Sequence, residues 1–244
     1  MTGPRVLIVQ PLLDDGPAFL ATWLRERGVP FDVCSVQAGD TVPVQAARWQ
    51  AVAMLGGTMS VNDDLPFLHS AAALLRDAVA RGVPVLGHCL GGQMLAKVLG
   101  ARVTDNPVPE IGWSRIEHLP GEQAQQWLGD AATLRVYQWH QQTFSLPPGA
   151  TQVARNAACE NQAFAFGPHL GMQFHVEVDA EKLDRWCREA PRPGDPRLAH
   201  ASVQHEAAMR ADTARHLSQS QATAARLYAR WLALAGRSGD DFRA

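Results

Sequence analysis

The segment Val83-Pro-Val-Leu-Gly-His-Cys-Leu-Gly-Gly-Gln93 restricts this 244-residue chain more than any other stretch of it. An apolar run leads straight into Gly87-His88-Cys89-Leu90-Gly91, and a helical pattern follows as far as Leu99, closed by Gly100. A chain that passes from strand to helix around one residue holds that residue in a strained backbone conformation. Side chains two positions before and after it would collide, which calls for glycine at both. A turn of this kind lifts its central residue above the C-terminal edge of a sheet, where open α/β sheets bind ligands. It also sets Cys89 at a helix N-terminus, whose dipole favours thiolate over thiol.

The first half of the chain supplies the sheet that such a turn needs. Arg5–Gln10, Phe31–Ser35, Ala51–Leu55 and Val83–Gly87 read as short buried strands. Pro17–Arg27, Leu65–Arg81 and Gly91–Leu99 have helical spacing, each followed by a glycine where helices end. Strands and helices in alternation predict βαβ units, right-handed crossovers and a parallel sheet. Val103 to Phe174 differs: short apolar runs at Trp113–Ile116, Leu134–Tyr137, Gln152–Arg155, Gln162–Phe166 and Leu170–Phe174 are split by Gly and Pro, with a helix around Gln123–Leu128. These predict shorter strands, some antiparallel. Ala180–Glu189 reads as a helix, Pro191–Pro196 as a breaker-rich loop, and His200 to Ala235 as one or two helices. The expected fold is α/β: an open, mostly parallel central sheet with helices on both faces, built from residues 1–190. Residues 191–244 form a C-terminal helical extension packed on that domain or on a partner.

Charge and cysteine usage exclude several function classes. A formal net charge of −2 gives no reason to expect nucleic acid or an anionic membrane as partner. No apolar run approaches the roughly 18 residues of a membrane span, and Met1 to Gln10 lacks the basic-then-apolar pattern of a secretory signal. The expected location is the cytoplasm. Cys34, Cys89, Cys159 and Cys187 form no CxxC pair, which argues against a disulfide framework or a structural zinc site. The nine histidines show no HExxH or similar ligand spacing, so neither a metal nor another cofactor is expected. Only Cys89 lies in a turn of the kind described above, and Cys34, Cys159 and Cys187 read as packing residues.

A nucleophilic thiol requires a base, and the base requires an orienting acid. Leu170-Gly-Met-Gln-Phe-His-Val-Glu177 offers both. Read as a strand, it directs residues two apart to the same side, so His175 and Glu177 share a face. The His-x-Glu register favours Glu177 over Asp179 as the acid.

Taken together, the G-x-C-x-G turn and Gln173-Phe-His-Val-Glu177 resemble the class I, triad-type glutamine amidotransferases over most of Arg5 to Asp179. Leu55-Gly-Gly-Thr-Met-Ser60 is similar to that family's glycine-rich loop, and Gly91-Gly-Gln93 matches its G-x-Q after the nucleophile. Glu110-Ile-Gly-Trp113 and Trp139-His140 resemble the subgroup typified by the amidotransferase part of GMP synthetase. The resemblance implies a flavodoxin-like sheet and a reaction in which Cys89 attacks the side-chain amide of glutamine. His175 then serves as base and acid, Glu177 orients it, and a γ-glutamyl thioester is hydrolysed. It further implies an oxyanion hole from the N–H groups of Gly57 and Leu90, with Gly56, Gln93 and His140 at the substrate.

One departure stands out. Similar enzymes carry an acidic residue two positions after the histidine, where this chain has Gln142, which puts coupling to a typical synthetase domain in doubt. No synthetase-like segment follows the helical tail, so any ammonia acceptor is expected on a separate subunit. The triad chemistry is the same for glutamine and for larger γ-glutamyl peptides or amines. The pocket around Met59, Glu110 and His140 is expected to discriminate, closed for glutamine and open for larger amides. A non-enzymatic protein that senses redox state or binds a ligand through Cys89 is the reading from a different class. The sequence does not indicate an oligomeric state.

Overall fold

Apolar runs that are too short for buried helices pair as strands. In this computed structural model, which describes residues 5–235, β1 (Val6–Gln10), β2 (Phe31–Ser35), β3 (Ala51–Met54) and β4 (Val85–His88) lie parallel in the order β2-β1-β3-β4. β9 (His169–Met172) pairs in parallel with the far side of β4. Every residue of β1, β3, β4 and β9 is buried, as expected of a parallel sheet covered on both faces.

Beyond β9 the sheet turns antiparallel through β8 (Ala163–Phe166), β7 (Thr151–Arg155), β5 (Val103–His118) and β6 (Thr133–Phe144), making nine strands among the described residues. β5 and β6 are longer than their broken apolar runs suggest. The β5–β6 register shifts between Asp105 and Glu110, a stretch that contains Pro107 and Pro109. The ladder thus absorbs at an irregularity the prolines that would otherwise end it.

One face of the sheet carries α2 (Pro66–Arg81) and α3 (Leu90–Val98), the other α1 (Ala18–Glu26), α4 (Glu122–Leu128) and α6 (Glu206–Ala233). α6 is one 28-residue helix. Its Leu227, Tyr228 and Trp231 join Val6, Ile8, Trp23 and Leu24 in a single core, and the Trp231 indole donates to the Pro84 carbonyl at 3.1 Å. α6 thus packs on this chain's own sheet. Residues 1–4 and 236–244 lie outside the described residues. Among the described residues no helix is long and apolar enough to cross a membrane.

The segment after β9 departs from expectation. Strand pairing ends at Met172, and His175 and Glu177 follow on irregular backbone anchored by bonds from the His175 N–H to the Tyr137 carbonyl and from the Phe19 N–H to the Glu177 carbonyl, each 2.8 Å. The polar side chains hold each other in place of a shared strand face. α5 (Ala180–Arg188) begins immediately after, with the Asp179 carboxylate capping it by accepting from the Lys182 N–H. That bond assigns Asp179 a capping role.

Candidate active site

β4 runs into α3 with a single residue between them, and that residue, Cys89, has φ 48° and ψ −107°. Its neighbours show why glycine is required. A Cβ on Gly91 would lie 2.1 Å from the Met54 carbonyl oxygen, and one on Gly87 would lie 2.6 Å from the Gly91 backbone. The Cys89 N–H donates to Met172 O at 2.9 Å, which fixes the turn to the end of β9 and to the segment that carries the other candidate residues.

The structure brings Cys89, His175 and Glu177 together. His175 Nδ1 lies 2.7 Å from Glu177 Oε1, and the ring shares a cavity wall with Cys89, whose Sγ donates to the Trp139 carbonyl at 3.8 Å. Burial alone would push the imidazole down; the Glu177 charge and Cys89 reverse this and raise it to about 10. Gly56 proves necessary here, since a Cβ on it would lie 2.9 Å from His175 Cε1. Gly56 therefore backs the imidazole, at the close approach of the loop after β3 to His175.

Glu177 is fully buried and rests on cations that sequence reasoning missed. Lys182, also fully buried, places Nζ 3.2 Å from Glu177 Oε1, 2.8 Å from Asp15 Oδ1 and 3.1 Å from the Gly16 carbonyl. His88 Nε2 lies 3.8 Å from Glu177 Oε2. Burial raises the Glu177 carboxyl, but Lys182 and His175 outweigh it and hold the group well below the usual carboxylate range. Burial pushes His88 down to about 4, so it faces Glu177 as a neutral ring at neutral pH. Lys182 sits five residues after Glu177 in sequence, but its partner Asp15 is in the loop after β1, and no local pattern signals that pairing.

The N–H groups of Gly57 and Leu90 make no backbone hydrogen bond among the described residues, and Leu90 is the first residue of α3. A Cβ on Gly57 would meet Met59 Sδ at 2.6 Å and Leu90 Cδ2 at 2.9 Å. Gln93 is buried, with Nε2 donating to the Gln142 carbonyl and to Gln173 Oε1; its own Oε1 has no partner among the described residues. Gln173, present in the motif but assigned no role from sequence, donates to Cys89 Sγ at 3.7 Å. His140 reaches the same cavity wall with both nitrogens engaged, Nε2 with Glu110 at 2.9 Å and Nδ1 with the Gln142 carbonyl at 3.0 Å. Gln142 itself accepts from Ser60 Oγ at 2.8 Å and donates to Asp105 at 3.2 Å, joining the loop after β3 to β5.

Glu110, His140 and Cys159 bring donor atoms within 4.8 Å of one another. Glu110 already accepts from Asn156 and Gln162 besides facing His140, and Cys159, pushed up to about 11 by burial, pairs with Thr143. These contacts satisfy the cluster without an ion. Burial also raises the Cys34 and Cys187 thiols.

Two cavities meet at Cys89 and share Gly57, Thr58 and Trp139. One, of about 430 Å³, includes Met59, Gln93 and His140. The other, of about 160 Å³, includes His175, Leu12 and Trp186. Glu110, expected at the pocket wall, is instead fully buried behind His140.

The model of the class-I glutamine amidotransferase family matches residues 18–186. A glutamine amido transferase from Methylobacillus flagellatus, known from its crystal structure, is 39% identical and superposes with a TM-score of 0.90 over 96% of each chain. The glutamine amidotransferase-like protein YfeJ of Salmonella typhimurium is 28% identical over 72% of this chain and 77% of its own. The glutamine-hydrolysing GMP synthase of Aeropyrum pernix is 32% identical over 80% of this chain, which spans 39% of that relative's length. The chain belongs to the class-I glutamine amidotransferase family.

Proposed function

We propose that this enzyme hydrolyses the side-chain amide of glutamine to glutamate and ammonia through a γ-glutamyl thioester on Cys89. The observation that carries this reading is that Cys89, at a positive-φ turn that ends a strand of the parallel sheet, lines the same cavity as His175, whose Nδ1 lies 2.7 Å from Glu177 Oε1. His175 takes the thiol proton, because an imidazole held up by a buried carboxylate is a strong base. Cys89 attacks the amide carbon, and the N–H groups of Gly57 and Leu90 receive the developing oxyanion. Losing one such donor costs about 2.7–4 kcal/mol of barrier. His175 then protonates the leaving nitrogen, and water, activated by the same ring, hydrolyses the thioester. Gln93 offers its free carbonyl oxygen to the substrate's amino group, and His140 positions the strand that carries Gln142 toward Gln93.

For the amidotransferase role the partner we propose is a separate ammonia-accepting synthetase subunit, in keeping with the similarity to a glutamine-hydrolysing GMP synthase. The chemistry of the site calls for no cofactor. The test is ammonia release from glutamine by the purified protein, with Cys89→Ser as control and with a panel of γ-glutamyl amides in parallel. Release that depends on Cys89 supports the reading. Absence of release from every substrate would favour a non-enzymatic role for the thiol.

A further inference from the structure

Building on the triad reading above, we infer that the cavity lined by His175, Leu12, Trp139 and Trp186 is a leaving-group site. Its occupant is a γ-glutamyl amide whose amine carries an apolar body and a cationic end.

The direction of the substrate follows from the chemistry. In the thioester-forming step the Sγ–Cδ bond forms and the Cδ–N bond breaks. The bonding pair stays on nitrogen, which takes the proton held by His175; water later replaces sulfur and yields glutamate. The scissile nitrogen must therefore lie on the His175 side of Cys89, and the glutamyl chain on the side of Gln93. The two cavities divide in the same way, His175 lining one and Gln93 the other.

Ammonia has no substituent to fill a leaving-group cavity, since a molecule of its size needs about the 30 Å³ that water occupies. The cavity here measures about 160 Å³. An apolar cavity of about 150 Å³ holds a benzene-sized guest, so a body of roughly six non-hydrogen atoms fits. Leu12 and the two tryptophans supply apolar walls. The charged groups at the rim are unequally engaged. Arg185 is spent on Glu181 and the Asp14 carbonyl, and Asp15 on Lys182. The carboxylates of Asp14 and Glu189 have no partner among the described residues, which leaves the rim negative.

The experiment compares kcat/KM for glutamine with that for three γ-glutamyl amides of equal reach: those of 1,4-diaminobutane, of butylamine and of 4-aminobutanoate. The diaminobutane amide is expected to exceed glutamine by about tenfold or more, the scale on which a filled apolar pocket discriminates, and to exceed the anionic amide by a similar factor. Leu12→Trp, which fills the cavity, is expected to lower the ratio of diaminobutane amide to glutamine by about tenfold, and Asp14→Asn with Glu189→Gln to erase the preference for cation over anion. Glutamine turnover with no amide exceeding it, or ratios that these variants leave unchanged, overturns the leaving-group site alone. Failure of all four substrates overturns the triad reading and this inference with it.

Discussion

Lys182→Met removes the cation that lies between the Glu177 carboxylate and the loop after β1. The ammonium stands 3.2 Å from Glu177 Oε1 with both groups fully buried. At an effective dielectric constant of about 20 such a pair interacts by roughly 5 kcal/mol before solvation is counted. Deleting one partner of a buried pair costs about 3–5 kcal/mol of stability. The lower end is expected here, because Glu177 keeps His175 at 2.7 Å and Asp15 borders a cavity that water enters. The sign of the pH effect follows from linkage. The folded-state carboxyl of Glu177 sits below its ordinary value of 4.5, so its stabilising charge is present above that value and is lost as pH falls through the depressed one. Without Lys182 the folded value rises, and protonation of Glu177 sets in at higher pH. Since about 1.4 kcal/mol moves a titration by one unit, the acid limb of the kcat profile should move up by about one unit or more. Lys182→Arg, which keeps the charge, should restore the wild-type limb even if its larger head slows turnover. The assay is ammonia release between pH 4 and 9 for the three proteins, alongside urea unfolding. A Lys182→Met enzyme that is less stable but whose acid limb has not moved would reduce Lys182 to a packing residue.

Further outcomes are expected from the same geometry. Glu177→Gln should lower kcat by about 10²–10⁴, measured with saturating glutamine. Gly57→Ala brings a methyl to within 2.6 Å of Met59 Sδ and 2.9 Å of Leu90 Cδ2, so the oxyanion donor should shift and kcat fall by about 10²–10³ with the fold retained by circular dichroism. A γ-glutamyl-directed alkylator should label Cys89 faster than Cys34, Cys159 and Cys187, whose thiols burial raises; equal labelling by mass spectrometry would contradict the assignment of Cys89. His88 and His169, held by burial at about 4 and about 3, cannot take up the protons that the unfolded chain binds below 6.5. The contribution of these two rings should therefore be complete above 6.5 and fall with decreasing pH, by about 1.4 kcal/mol per unit for each ring, as read by urea unfolding between pH 7 and 5.

Much of the site was legible because its demands are local. A cysteine at a strand-to-helix turn cannot be built without Gly87 and Gly91, and the clashes at both positions show why the pattern is so restrictive. His175 and Glu177 were found as a pair from their spacing, although the inferred reason was wrong: the strand stops at Met172, and a hydrogen bond, not a shared strand face, aligns them. The full length of β5 was obscured because Pro107 and Pro109, which read as breaks, fall at a register shift.

The amino-acid sequence by itself determined the alternation of strands and helices, the strained turn at Cys89 and the pairing of His175 with Glu177, since each depends on residues within a few positions of one another. Only the tertiary structure decided what surrounds them. Lys182 reaches Asp15 across the molecule, Gly56 yields space to an imidazole from a distant segment, and Trp139 and Trp186 enclose a second cavity at the sulfur. Burial and long-range charge pairing arise from chain crossings that no local pattern of residues encodes.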